Sequence, residues 1–228
     1  MAVKGILFDF DGTLANTIDL ILAAFHHTCR EVLGRDLPDE RIIKTFGLIL
    51  PDAMLELSGR QELVDPMRDV YREYNNAHHD SMIKVIPGAL ETVRELRERG
   101  VRMAVVTSKK NAMAHRGLRC CGLEDYMDAV VAYGDTVHTK PHPEPMQAAC
   151  RMMGVRPEEC ISVGDSPFDL ISGRSAGAMT AAVRYTTFSW QEMLDKGKPD
   201  YILEKINDLP LLIDHIASSA AADSSLRR

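Results

Sequence analysis

At 228 residues, 45% of them hydrophobic and 26% charged, the chain can bury a sizeable core as one large domain or two small ones. A net charge of -6 without any basic block excludes nucleic acid as the main partner, because binding a phosphate backbone needs clustered Lys and Arg. No apolar run approaches the roughly 20 residues of a membrane span, Met1 leads straight into the first expected strand, and the five cysteines lack metal-ligand spacing, so a cytoplasmic protein with reduced thiols is expected.

The first element is the apolar run Val3 to Phe8, interrupted only by Lys4 and Gly5, the pattern of a strand buried on both faces in a parallel sheet. It ends in Phe8-Asp9-Phe10-Asp11-Gly12-Thr13-Leu14. Strand alternation sends Asp9 and Asp11 to one side of its exit. Two carboxylates losing solvation there call for a cation, most simply a divalent metal; the other reading has one Asp capping a helix and its neighbour solvated. Gly12 permits a turn and close approach of a ligand to the main chain.

Apolar residues at three- and four-residue steps then predict a helix over 15–34, stopped by Gly34, with further helices over 39–46, 52–57 and 62–77. The loop between them carries Leu48 and Leu50, placed to exclude water or to pack within the block. Beyond Pro87-Gly88 the pattern changes to alternation. Strands are expected over 101–106, 128–132, 160–163, 180–183 and 201–203, and helices over 89–99, 111–121, 144–153, 168–176 and 209–216. The Ala/Ser-rich residues 217–228 read as a frayed, flexible tail. Alternating strands and helices predict an α/β fold, a parallel sheet core over 1–15 and 84–216, with an inserted helical lid domain over 16–83. The hinges fall near Ala15-Asn16 and Ile83 to Gly88.

In such a sheet, ligands bind outside the carboxyl ends of the strands. Those ends are chemically loaded here: Asp9 and Asp11 on the first, Thr107 and Ser108 on the second, Lys140 in a Pro-bounded turn, and Gly-Asp-Ser-x-x-Asp with Asp165 and Asp169 on another. Singly, Thr107-Ser108 also reads as a helix cap and Lys140 as a surface lysine. Together, at one edge, they describe an anion site with its own cations.

D-F-D-G-T-L, V-V-T-S-K, K-P-H-P-E-P and V-G-D-S-P-F-D-L resemble the four signature motifs of the haloacid dehalogenase superfamily, and the helical insertion resembles its type-one cap. The resemblance covers nearly the whole chain. It implies a Rossmann-like core with a helical cap domain, and phosphoryl transfer through an aspartyl-phosphate, with Mg2+ as cofactor and a small anionic phosphate as substrate. It makes Asp9 the nucleophile and Asp11 the general acid and base. Metal ligands would be Asp9, Asp165, the Asp11 carbonyl and, directly or through water, Asp169. Gly12, Thr107, Ser108 and Lys109 would meet the phosphate, and Lys140 would neutralise charge beside Asp9. Dehalogenases of the superfamily lack an acid at the Asp11 position, which favours a phosphatase or phosphomutase. The stretches around Trp190-Gln191-Glu192-Met193-Leu194 and His78-His79-Asp80 further resemble the superfamily's pyrophosphatases, which implies hydrolysis of inorganic pyrophosphate; phosphoglycolate phosphatases share fold, cap and motifs. Either leaving group must be met by the cap, where His27, Lys44, His79 and Lys84 are the expected contacts. A non-catalytic binding protein would show loss of Asp9, Asp11 or Lys140, and all three are present.

Overall fold

A computed structural model describes residues 2–225. Strand β1 (Gly5–Phe8) is wholly buried, as its unbroken apolar run requires. Ile6 and Phe8 pack into the core on one face of the sheet with Val105, Ile161 and Val183. Leu7 enters the opposite core with Ala104, Val106 and Met146. Each of these large buried side chains contributes about 1.5–3 kcal/mol relative to exposure.

The short strand β2 (Ala15–Asn16) follows, then four helices: α1 (Ile18–Leu33), α2 (Asp39–Ile43), α3 (Leu50–Ser58) and α4 (Val64–Met82). Strand β3 (Lys84–Val85) brings the chain back. The remainder alternates: α5 (Ala89–Glu98), β4 (Arg102–Lys110), α6 (Asn111–Cys120), β5 (Ala129–Tyr133), α7 (Glu144–Met153), β6 (Cys160–Gly164), α8 (Pro167–Ala176), β7 (Met179–Val183), the turn-length α9 (Trp190–Glu192), β8 (Tyr201–Leu203) and α10 (Leu209–Ser225).

Six strands form one sheet in the order β5-β4-β1-β6-β7-β8, every neighbouring pair parallel. Helices α5, α6 and α10 cover the Ile6/Phe8 face, and α7 covers the Leu7 face. Because β1 lies between β4 and β6, its C-terminal end opens where the strand order turns in two directions, the natural crevice of such a sheet.

Helices α1 to α4 hold their own apolar cluster, including Phe25, Cys29, Met54, Leu57, Met67 and Tyr71. The two crossings between this block and the sheet are the expected hinge positions. There β2 and β3 pair antiparallel, Asn16 opposite Lys84, so the crossings form a short ribbon.

Several boundaries differ from the periodicity. The helix expected over 15–34 gives up its first residues to β2 and begins at Ile18, and the helix expected over 39–46 ends at Ile43. Strand β4 runs on to Lys110 through a register irregularity after Val106, so Thr107 and Ser108 belong to the strand and α6 begins only at Asn111. Helix α4 continues to Met82, past the expected end at 77. Helix α10 reaches Ser225, so residues 217–225, expected to fray, are helical, in keeping with the high helix propensity of their alanines; residues 226–228 lie outside the described part. Among the described residues no helix is long and apolar enough to cross a membrane, and all five cysteines are unpaired.

Candidate active site

Asp9 stands one residue beyond β1, its N–H donating to Val163 O of β6 at 2.9 Å. Its side chain is buried, as are those of Lys140, Asp165 and Asp169. The Lys140 ammonium joins them. Nζ donates to Asp9 Oδ1 at 2.7 Å, to Asp169 Oδ1 at 2.6 Å and to the Val106 carbonyl at 2.9 Å. Those three acceptors use all its protons. The other oxygen of Asp169 accepts from Ser166 N–H at 3.1 Å and Ser166 Oγ at 2.6 Å. Ser166 in turn caps α8, so the helix start that begins at Ser166-Pro167 fixes Asp169 and, through it, Lys140.

Carboxylate oxygens of Asp9, Asp165 and Asp169 lie within 4.8 Å of one another, a grouping that could hold a metal ion. Three carboxylates around one ammonium leave two negative charges when all are ionised, the complement of a divalent cation. The Asp165 carboxylate is buried beside two others, a placement that suits a cation ligand. The electrostatics agree. Burial above all, against the pull of Lys140 and with the help of Asp169 and Asp11, pushes Asp9 from 3.8 up to about 7. Burial, then Asp9 and Asp169, hold Asp165 well above the usual carboxylate range. Burial draws the Lys140 ammonium down, but Asp169 and Asp9 outweigh it and keep it protonated.

Gly12 has a definite reason to be glycine. Its φ is 77°, and a Cβ there would lie 2.4 Å from Asp165 Oδ2. The two motif aspartates have different partners. Both line one cavity, but Asp11 Oδ1 accepts from Thr17 Oγ1 at 2.5 Å and pairs with Lys109 Nζ at 2.7 Å, away from the Asp9 group. Each carboxylate also has a lysine of the chain beside it, Lys140 at Asp9 and Lys109 at Asp11.

The cavity, about 410 Å³, lies between the sheet's edge and the helical block. Thr107, Ser108, Lys109 and Lys140 line it with the aspartates, as the motifs led one to expect, whereas Gly12, expected with them, does not. Thr107 Oγ1 accepts from the Lys109 N–H at 3.2 Å, and Ser108 Oγ donates across to the Gly47 carbonyl of the helical block at 3.1 Å. The expected block contacts do not line the cavity. His27 stacks on Tyr74 at 4.8 Å, His79 is buried with Nδ1 bonded to Asp80 at 2.7 Å, and Lys44 and Lys84 are exposed. Arg72, Asn75 and Asn76 of α4 reach the cavity instead. Their spacing with Tyr71 (i, i+1, i+4, i+5) marks one helix face, and that polar face is the signal in the sequence that could have found them.

Residues 6–183 match the family model of the haloacid dehalogenase-like hydrolases. The chain belongs to this family. It is 36% identical over 215 residues to Pyrophosphatase PpaX of Bacillus cereus (strain AH820), across 94% of this chain and 98% of that protein. It is 35% identical over 219 residues to Pyrophosphatase PpaX of Bacillus anthracis (strain A0248), across 96% and 100%. The fold matches a predicted phosphoglycolate phosphatase from Haemophilus somnus 129pt with a TM-score of 0.84, at 21% identity over 92% of this chain and 97% of that one. The protein is a phosphatase enzyme of the haloacid dehalogenase type.

Proposed function

We propose that this phosphatase hydrolyses inorganic pyrophosphate through an aspartyl-phosphate on Asp9, with Mg2+ held by the carboxylates of Asp9 and Asp165 and the backbone carbonyl of Asp11. The observation that carries the substrate is the similarity to the PpaX pyrophosphatases over almost the full length of both chains. Bound among these groups, Mg2+ supplies charge compensation between Asp9 and an anionic phosphate. The rest is the chain's own work. Lys140 occupies Asp9 Oδ1, leaving Oδ2 to attack phosphorus. The O–P bond forms as the bond to the leaving phosphate breaks, and Asp11 gives that phosphate its proton. Asp11 then takes a proton from water, whose oxygen attacks the phosphorus and frees Asp9. Thr107 and the amides near it hold the transferring oxygens, and Lys140 offsets the charge that remains beside Asp9. Asp169, with both oxygens engaged, positions Lys140. Five unpaired cysteines fit a cytoplasmic setting.

Metal binding and pH should be linked. Asp9 and Asp165 titrate above their unfolded values, so without metal the folded protein holds more protons than the unfolded chain as pH climbs from 3.8 to about 7, and stability falls over that window. A cation must displace those protons. Millimolar Mg2+ is therefore expected to raise the melting temperature more at about pH 8 than at about pH 6, and EDTA to reverse it. Equal shifts at the two pH values would sink the assignment of these carboxylates as ligands.

The leaving phosphate would meet Arg72, Asn75 and Asn76. One observation favours a second reading. The same cavity is walled by Ile18, Ile21, Phe25, Phe46, Leu48 and Leu50, apolar surface that a carbon-containing leaving group would use better. A steady-state panel of pyrophosphate, phosphoglycolate and sugar phosphates decides between them. Pyrophosphate is expected to have the highest kcat/KM. Arg72→Ala should lower that value about 10–100-fold, the range for losing a hydrogen bond to a charged group. A clear preference for a phosphomonoester, unaffected by Arg72→Ala, would select the second reading. Release of free phosphate, with no isomerised sugar phosphate among the products, would set aside a mutase.

A further inference from the structure

A second group of metal-ligating side chains lies outside the cavity. His138, His142 and Glu144 each offer a donor atom, and the three atoms lie within 4.8 Å of one another. Both histidines are exposed, so an ion can reach them from solvent. The group is also held in place. The His138 and His142 rings stack with centroids 4.1 Å apart and planes 23° apart. Glu144 accepts from the His138 N–H at 2.8 Å and the Val137 N–H at 3.4 Å, and its own N–H donates to His142 Nδ1 at 3.2 Å. His138 Nδ1 meets Glu144 Oε2 at 2.8 Å. Most of the conformational ordering that binding a metal demands has thus been done in advance.

The geometry points to a surface site for a borderline-soft divalent cation, of which Zn2+ is the type, held by His138, His142 and Glu144 with solvent completing the shell. Two imidazoles and one carboxylate form the donor set that Zn2+ takes with an open fourth position. Mg2+ prefers oxygen ligands, so the two sites in this chain select different ions: carboxylates in the cavity, imidazoles outside it. The outer site brackets the turn that carries Lys140. His138 and His142 are each two residues from it, and the turn is closed by the His142 N–H donating to the Thr139 carbonyl at 2.9 Å. A bound ion fastens both ends of the segment whose ammonium sits between Asp9 and Asp169.

Calorimetric titration of the full chain with Zn2+, in the presence of millimolar Mg2+ to fill the carboxylates, tests this. One equivalent is expected to bind, and Co2+ in its place should give visible d–d absorption of a nitrogen-containing site. His138→Ala and His142→Ala should each weaken binding at least ~10-fold and remove the Zn2+-induced rise in melting temperature. Since both side chains are exposed, these variants should fold and keep their Mg2+-dependent turnover. His26, which sits between Asp36 and Asp39 at 2.6 and 2.8 Å, is the control, and His26→Ala should bind Zn2+ as the unaltered chain does. No binding under excess Mg2+, binding that survives both His138→Ala and His142→Ala, or binding lost on His26→Ala would each overturn the assignment.

Discussion

Asp9→Asn is expected to lower turnover by roughly 10⁴-fold or more while leaving the fold intact, the scale seen when a covalent nucleophile is removed. Asparagine has nearly the same shape and can still accept from the Lys140 ammonium, which lies 2.7 Å from the Asp9 carboxylate. What it lacks is an anionic oxygen able to form a bond to phosphorus. The stability of the variant adds a readout that loss of a merely structural residue would not give. Asp9 is held up to about 7, chiefly by burial, so ionising it destabilises the metal-free protein. The substituted side chain cannot ionise. The variant should lose less stability than the parent between about pH 4 and pH 7, with the remaining slope due to Asp165. Pre-steady-state quenching with labelled substrate checks the chemistry directly: labelled protein should accumulate in the parent and not in the variant. Substantial turnover by Asp9→Asn would end the aspartyl-phosphate scheme.

Lys140→Met is expected to cost both activity and about 3–5 kcal/mol of stability near neutral pH, the scale for removing one partner of a buried ion pair. The side chain is nearly inaccessible, 4% exposed, and its ammonium is the only cation within salt-bridge distance of Asp9 and Asp169 among the described residues. Methionine fills similar volume but leaves Asp9, Asp165 and Asp169 facing one another. The penalty should shrink as pH falls, because protonating those carboxylates removes the repulsion. Denaturant unfolding at about pH 5 and pH 8 measures this. In a double-mutant cycle, Lys140→Met with Asp169→Asn should be clearly less damaging than the sum of the single changes. An additive cycle, or a pH-independent penalty, would show that Lys140 acts through packing rather than charge.

The pair of aspartates illustrates how far alternation along a strand carries. It places Asp9 and Asp11 at one cavity correctly, because both are near the exit of a buried strand. It does not separate their partners. The chain bends at Phe10, between them, and Asp11 meets Lys109 and Thr17 while Asp9 meets Lys140. Similarly, Ser166 was visible as part of a motif, but its hold on both the helix start and Asp169 needed coordinates.

The sheet and the chemical load at its edge are written into the local order of residues. All six strands of the sheet were legible, since each is a short apolar run between turn residues, and local periodicity records burial on both faces. Motif residues were legible because each lies at or shortly after the carboxyl end of an apolar run, a place defined by its own neighbours in the chain. The helical block was legible as helices, but not in its aim. Which face of α4 looks into the cavity depends on how that block packs over the sheet, through contacts such as Ser108 to Gly47 that join residues 61 apart in sequence. That packing turns Arg72, Asn75 and Asn76 toward the aspartates, leaves His27 against Tyr74 and buries His79. Chemistry at the strand ends is encoded locally; the groups that meet the leaving group are chosen by tertiary packing, because a helix carries polar residues on several faces and only its neighbours decide which one meets the substrate.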